Sequence, residues 1–316
     1  MRYLVTGGAG FIGSNTVDEL VRRGHGVVVV DDLSAGKEEN LAESRGKITF
    51  IKGSITDLDT VQRATQQADY VIHLAARTSV PRSVKDPLET NRINIEGTLN
   101  VLLAARDNKV RRVVIAASSS AYGETPTLPK KETMQPVPIS PYGVTKYVAE
   151  LYAFVFGRCY GLETVCLRYF NIFGPRQDPD SPYSGVLSRF ATAFLDGGQP
   201  VVFGDGEQTR DFTYVENAVQ ANLLACEAPD VAGQTFNVGT GARISLNRTL
   251  ELLRNISGKH LQARYDPPRE GDIRDSQADI SLAKQSLGYD PSVEFEEGLQ
   301  KTFDWYREHE IKSAAK

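Results

Sequence analysis

Short apolar runs punctuate the first 120 residues at Arg2–Thr6, Val27–Asp31, Ile48–Ile51, Tyr70–His73 and Arg112–Ala117. They are often β-branched and show no strict alternation, the pattern of strands covered on both faces of a parallel sheet. Between them, Phe11–Arg23, Asp57–Gln67 and Pro87–Asn108 repeat apolar residues at helical spacing. The alternation predicts βαβ units, hence an α/β fold built on a doubly wound parallel sheet. A long helix is predicted from Ser140-Pro141, a good N-cap and first turn, to about Tyr160, where Gly161 can end it. One more strand is expected at Thr164–Arg168.

Beyond Asn171 the texture changes. Residues Gly174–Ser184 are rich in Pro, Asp and Ser and read as a loop, and turns are expected at Gly204-Asp205-Gly206 and Gly239-Thr240-Gly241. The expected organisation is a dinucleotide-binding domain over 1–170 and a smaller lobe over 171–316, with some elements crossing back. The tail Ile311–Lys316 is expected to fray.

Composition narrows the function classes. A chain of 316 residues with 41% apolar and 24% charged residues can bury a sizeable core, which excludes a disordered or fibrous protein. A net charge of −4 argues against a nucleic-acid partner. The three cysteines, Cys159, Cys166 and Cys226, are odd in number and form no Cys-x-x-Cys, so no disulfide framework is expected. The four histidines are scattered, so no metal site is expected either. The N-terminus enters a strand at once and no apolar run approaches the ~18 residues of a membrane span. A soluble, cytoplasmic protein is the expectation.

The first strand leads into Gly7-Gly8-Ala9-Gly10-Phe11-Ile12-Gly13, where glycines at 8, 10 and 13 fit G-x-G-x-x-G. Such glycines let the backbone turn tightly and approach a pyrophosphate at a helix N-terminus. The motif follows a strand, opens a helix, and has Asp31 at the end of the next strand, 18 residues past Gly13, which is its confirming context. Asp31 can bond a ribose diol and would repel a 2′-phosphate, so NAD is expected rather than NADP.

Tyr142 and Lys146 share one face of the predicted helix. Tyrosine, with a free pKa of about 10, becomes a useful base only where positive charge favours the phenolate. The pair alone is a common coincidence. The upstream strand, however, ends in Ser118-Ser119-Ser120, and strand C-termini face the ligand crevice of a doubly wound sheet.

Together these residues resemble the extended short-chain dehydrogenase/reductase family, in its branch of nucleotide-sugar epimerases. Matching segments run through His73-Leu74-Ala75-Ala76, Asn94 to Thr98, Leu167 to Asn171, Gly204 to Phe212 and Arg269 to Asp272. The resemblance implies a Rossmann-type fold, with Tyr142 as base and acid, Lys146 lowering its pKa, and Ser118 on the sugar O4. It implies NAD contacts at Gly7, Gly10, Phe11, Ile12, Asp31, Asp32, Ser34, Gly36, Ile55, Leu74, Ala75, Ala76, Asn94, Tyr142, Lys146 and Tyr169. A uridine-diphosphate sugar would be held by Ser79, Ser118, Ser119, Ser120, Tyr142, Phe170, Asn171, Val186, Phe203, Arg210, Arg269, Asp272 and Ser276. The family often has Gly-Asp-Ile near the adenine, whereas this chain has Gly53-Ser54-Ile55, which removes an acidic contact.

Sugar dehydratases of the family carry an Asp-Glu pair after the catalytic hydroxyl, and decarboxylases a glutamate. Ser119 and Ser120 stand there, so 4-epimerisation is the expected reaction. Galactose-restricted members carry a bulky tyrosine at the position of Ser276, and a serine leaves room for a 2-acetamido group. That favours UDP-N-acetylglucosamine and UDP-N-acetylgalactosamine. The alternatives are UDP-glucose/UDP-galactose, a UDP-uronic acid read by Arg82 or Lys85, a net oxidoreductase, and a non-catalytic sensor of NAD or nucleotide sugar. The helices at 87–108 and 140–160 resemble those of a four-helix homodimer interface in this family.

Overall fold

The computed structural model describes residues 1–178, 185–268 and 273–314, with side chains as far as 309. The first half runs β1 (Arg2–Thr6), α1 (Phe11–Arg22), β2 (Gly26–Asp31), β3 (Ile48–Lys52), α2 (Leu58–Thr65), β4 (Tyr70–His73), α3 (Val80–Lys85), α4 (Pro87–Asn91), α5 (Gly97–Asp107), β5 (Arg112–Ser118), α6 (Pro141–Tyr160) and β6 (Glu163–Tyr169). The second half adds β7 (Ile172–Phe173), α7 (Val186–Asp196), β8 (Val201–Phe203), β9 (Thr209–Arg210), β10 (Thr213–Tyr214), α8 (Val215–Glu227) and β11 (Gln234–Val238). It ends with β12 (Ile244–Ser245), α9 (Leu246–Ser257), β13 (Arg264–Asp266), α10 (Ser281–Leu287) and α11 (Phe295–Ala314).

Seven strands form one parallel sheet in the order β11-β6-β5-β4-β1-β2-β3. Its order reverses beside β1, which opens a crevice where β1 and β4 diverge to their loops. All four positions of β4 and all seven of β5 are buried, as the unbroken apolar runs predicted. Separate apolar clusters cover the two faces. One joins Val5, Ile72 and Val114 to the second half of the chain, and the other joins Leu4, Val71 and Val113 to α2, α5 and α6.

The predicted helix over 87–108 is interrupted. A π-helical turn at Arg92–Glu96 separates α4 from α5, and Asn94 inside it is buried. The apolar period runs straight through the turn, so periodicity alone cannot show it. Sheet strand β11 comes from the second half, and α8 packs on α1, so the chain crosses back over the residue-170 boundary. The backbone of α11 is helical to Ala314, further than the fraying expected from Ile311.

Candidate active site

Glycine is required where the backbone turns from β1 into α1. Gly7 has φ +70°, and its amide donates to Val30 O at 2.7 Å. A Cβ on Gly13 would lie 2.1 Å from Gly7 O, so only glycine allows the helix to start this close to the strand. Gly10 precedes the first turn, and Phe11 and Ile12 open α1 half-buried.

Asp31 closes β2 beside this loop. Its carboxylate accepts from Ala9 N at 2.9 Å and Leu33 N at 2.8 Å. Burial raises its pKa, and those two amides oppose the rise. Gly36 lies against it, since a Cβ there would stand 2.9 Å from both carboxylate oxygens. Exposed Asp32 caps the Ser34 amide at 2.9 Å. Across the sheet, Ile55 is buried against Gly97, and Ser54 bonds Thr56 through its hydroxyl at 2.9 Å. Leu74 and Ala75 are threaded back to Thr6 by their amides, and Ala76 follows half-buried.

The serine turn lies at the end of β5. Ser118 Oγ donates to Ser120 Oγ at 3.0 Å and accepts from Ser120 N at 3.1 Å, and Ser119 is half-buried between them. Helix α6 is capped by Ser140, and Ser83 of α3 accepts a further amide bond from Tyr142 N at 3.0 Å. The half-buried Tyr142 phenol faces Ser118, whose hydroxyl favours its ionised form. One turn on, buried Lys146 donates from Nζ to Ala116 O at 2.7 Å. Ser118, Tyr142 and Lys146 thus lie together at the end of β5.

Its electrostatics differ from the sequence expectation in one respect. Burial pushes the Tyr142 phenol above its ordinary pKa, outweighing the opposing bond to Ser118. The Lys146 amine is turned onto the backbone carbonyl of Ala116. Burial lowers Lys146 itself to about 8, against the opposing influence of Cys166 and Glu150.

Asn94 braces this region. It exchanges bonds with both backbone groups of Arg77, at 2.8 and 3.2 Å, and donates to Thr145 on α6 at 3.0 Å. Ser79 is the N-cap of α3. The Tyr169 hydroxyl is tied to Asn222 at 2.6 Å, and the Phe170 ring is fully buried beside Tyr122, so Phe170 can offer a ligand only its backbone.

A second feature opens from the C-terminal end of β6, a cavity of about 260 Å3 lined by residues including Asn171, Val186, Phe203 and Arg210. Arg210 is aimed by bonds from Nη1 to Thr209 O and Arg274 O at 2.9 and 2.8 Å. Asn171 has φ +37° and donates to Ser276 Oγ at 3.1 Å, which brings two sequence-predicted residues into contact. Arg269 and Asp272 lie outside the described residues. Sequence reasoning missed Arg189 and Gln208, which also line the cavity. Arg189 lies on a strongly amphipathic helix that buries Leu187, Phe190 and Phe194, but nothing local marks which polar position faces a ligand.

The model of the NAD dependent epimerase/dehydratase family matches residues 3–239. The chain belongs to this family. Among its relatives, a UDP-glucose 4-epimerase of Mycolicibacterium smegmatis is 42% identical over 97% of this chain and 99% of its own. A UDP-glucose 4-epimerase from Thermotoga maritima, solved with UDP-glucose, superposes with a TM-score of 0.93 at 43% identity, covering 98% and 99% of the two chains. A UDP-N-acetylglucosamine 4-epimerase from Methanobrevibacter ruminantium, solved with UDP-N-acetylmuramic acid, gives 0.94 at 41%, covering 98% of each.

For an NAD-dependent epimerase/dehydratase, the glycine cradle and the Asp31 carboxylate fit the dinucleotide. Side chains are kept off the loop, a helix N-terminus faces the crevice, and an acceptor stands at the end of β2. The cofactor is NAD. Among the described residues, no cluster of ligands suits a metal, and no helix is long and apolar enough to cross a membrane.

Proposed function

We propose that this chain is a UDP-sugar 4-epimerase whose preferred pair is UDP-N-acetylglucosamine and UDP-N-acetylgalactosamine. The observation that carries the reading is Tyr142 facing Ser118 at the end of β5, with Lys146 buried one turn away and its Nζ on Ala116 O at 2.7 Å. Residues 1–170 hold the cofactor, and 171–316 hold the nucleotide sugar. Arg210 and Arg189 supply positive charge at the cavity for a diphosphate.

When bound, NAD would supply the reversible hydride acceptor that oxidation and re-reduction at the sugar C4 require. The chain's own residues handle the proton. Tyr142 Oη takes it from the sugar O4 and gives it back, while Ser118 Oγ holds that oxygen. Burial holds the Tyr142 phenol protonated in the protein alone, and a positive charge brought beside it would favour the phenolate. Ser119 and Ser120 offer no carboxyl for elimination, which separates this reading from dehydration. Ser276, small and bonded to Asn171, leaves space beside the sugar for an acetamido group.

A homodimer is part of the proposal. Val84 and Leu88 on α3 and α4, at 64% and 84% exposure, and Phe154 on α6, at 53%, are large apolar side chains left in water on helices that pack together. They lie on α3, α4 and α6, whereas α5 buries Val101 and Leu102.

The test incubates the purified protein, without added nicotinamide, with UDP-N-acetylglucosamine and with UDP-glucose, following 4-epimers by proton NMR. Faster conversion of the acetylated sugar is expected, together with a loss of about 10²- to 10⁴-fold in Tyr142→Phe at retained ligand affinity. Conversion of UDP-glucose alone refutes the substrate assignment. No conversion of either, with NAD supplied, refutes the acetylated and the plain hexose readings and turns the test to a UDP-uronic acid.

A further inference from the structure

The segment carrying Ser276, which meets the cavity-lining Asn171, is held by bonds from its backbone amides. Ser276 N donates to Thr209 O at 3.1 Å, and Ala278 N donates to the Asp211 carboxylate at 3.0 Å. Lys130 forms a parallel bridge with Ala278, its amide donating to Gln277 O and its carbonyl accepting from Asp279 N, both at 2.8 Å.

Asn237 on β11 joins this assembly to the serine turn. Its side chain is fully buried. Its Nδ2 donates to Lys130 O at 2.9 Å and to Asp279 O at 3.1 Å, and its Oδ1 accepts from the Tyr122 hydroxyl at 2.7 Å. The amide thus uses both donors toward the Ser276 side and its acceptor toward the other. Tyr122 ends the turn that begins with Ser119. Its ring is held by Phe170 and by the Arg168 guanidinium, 4.6 Å from the ring centre. The backbone amide of Asn237 also donates to Glu132 Oε1 at 2.8 Å, which ties down the 125–137 segment that Gly123 starts.

We propose that Asn237, through Tyr122, is a positioning residue that sets the width of the sugar pocket by fixing the Ser276 segment relative to the Ser118 turn. The proposal rests on the reading above, in which the sugar lies between those two segments. It gives the buried amide a task beyond satisfying its neighbours. Its three side-chain bonds lead to three chain segments, at Lys130, Asp279 and Tyr122.

Two variants separate the ends of the tie. Tyr122→Phe removes only the hydroxyl and keeps the packed ring. Asn237→Asp keeps the shape and the acceptor but replaces the two-donor nitrogen by an oxygen that faces two carbonyls. The assay measures kcat and KM for UDP-N-acetylglucosamine and UDP-glucose, together with the calorimetric Kd of UDP and of both sugars. In each variant the ratio of kcat/KM for the two sugars should fall about tenfold toward unity, through KM, with the Kd of UDP within about twofold of the parent. The double variant should show the ratio of the worse single one, since both break the same tie. A ratio unchanged in Tyr122→Phe overturns the proposal, and so does a loss of UDP affinity parallel to the loss of kcat/KM. If the parent protein converts neither sugar, the proposed substrate pair fails separately. The Kd ratio of the two sugars then decides the tie, with a shift in both variants supporting it and no shift overturning it.

Discussion

Replacing Glu150 by glutamine removes one charge from a buried pair. Glu150 Oε1 accepts from Arg168 Nε at 2.9 Å and Oε2 from Nη2 at 2.7 Å, with side-chain exposures of only 6% and 4% for Glu150 and Arg168. With the two charge centres about 4 Å apart and an effective dielectric of ~20, the attraction is about 4 kcal/mol. Losing it leaves a guanidinium with no counter-charge, and Nη1 already lacks a hydrogen-bond partner. Breaking buried pairs costs about 3–5 kcal/mol. Glutamine keeps one acceptor, so Glu150→Gln should cost about 3 kcal/mol in equilibrium urea unfolding. The double variant Glu150→Leu/Arg168→Met removes both charges and should recover most of that loss. Glu150 also helps hold Lys146 up against burial, so Glu150→Gln should move the alkaline limb of the kcat–pH profile, near 8, to lower pH. A cost below about 1 kcal/mol, or a double variant less stable than the single one, refutes the reasoning about the pair. An unmoved alkaline limb refutes its link to Lys146.

Three further outcomes are expected. Gly13→Ala puts a methyl group 2.1 Å from Gly7 O and should abolish NAD retention, measured by absorbance of the released cofactor, while destabilising the fold by more than the ~1–3 kcal/mol of ordinary overpacking. His73 sits between the hydroxyls of Thr6 and Thr98, and burial, with Lys146 adding, lowers its pKa from 6.5 to about 3. The unfolded chain therefore takes up a proton that the folded one refuses. That stability is complete above about pH 6.5 and falls at up to ~1.4 kcal/mol per unit toward pH 3, so His73→Gln should reduce the loss between pH 6 and 4.5 by about 2 kcal/mol in urea titrations. Phe154→Asp places a charge on the exposed apolar face of α6 and should yield a monomer in sedimentation, with monomer stability within about 0.5 kcal/mol of the parent's, as for an exposed site.

The sheet was legible because its strands are short β-branched runs with no polar face to confuse the period, as in β4 and β5. α6 was legible because Ser140, Pro141 and Gly161 mark its ends. The seventh sheet strand escaped. Gln234–Val238 interleaves Gln, Thr and Asn with apolar residues, and its pairing with β6 is decided by distant residues. Helix α3 was hidden behind Pro81, which occupies its first turn and reads as a breaker without the structure. At the site, Ser118, Tyr142 and Lys146 were readable because each stands on a regular element with a fixed period. The cavity residues Arg189 and Gln208 were not, since only the packing of α7 against β8 and α9 turns them toward one space.

The position of β11 has a consequence for the chain as it is made. Strand β6 is finished at residue 169, but the strand that covers its outer edge ends only at Val238. At roughly 5–20 residues per second, a ribosome leaves that edge unpaired for about 3–14 seconds. During this interval β6 offers an open ladder, with Val165 and Leu167 in its middle, to any other nascent chain nearby. Slowed translation between these two points would lengthen the exposure and lower the yield of soluble protein without changing one residue of the finished enzyme.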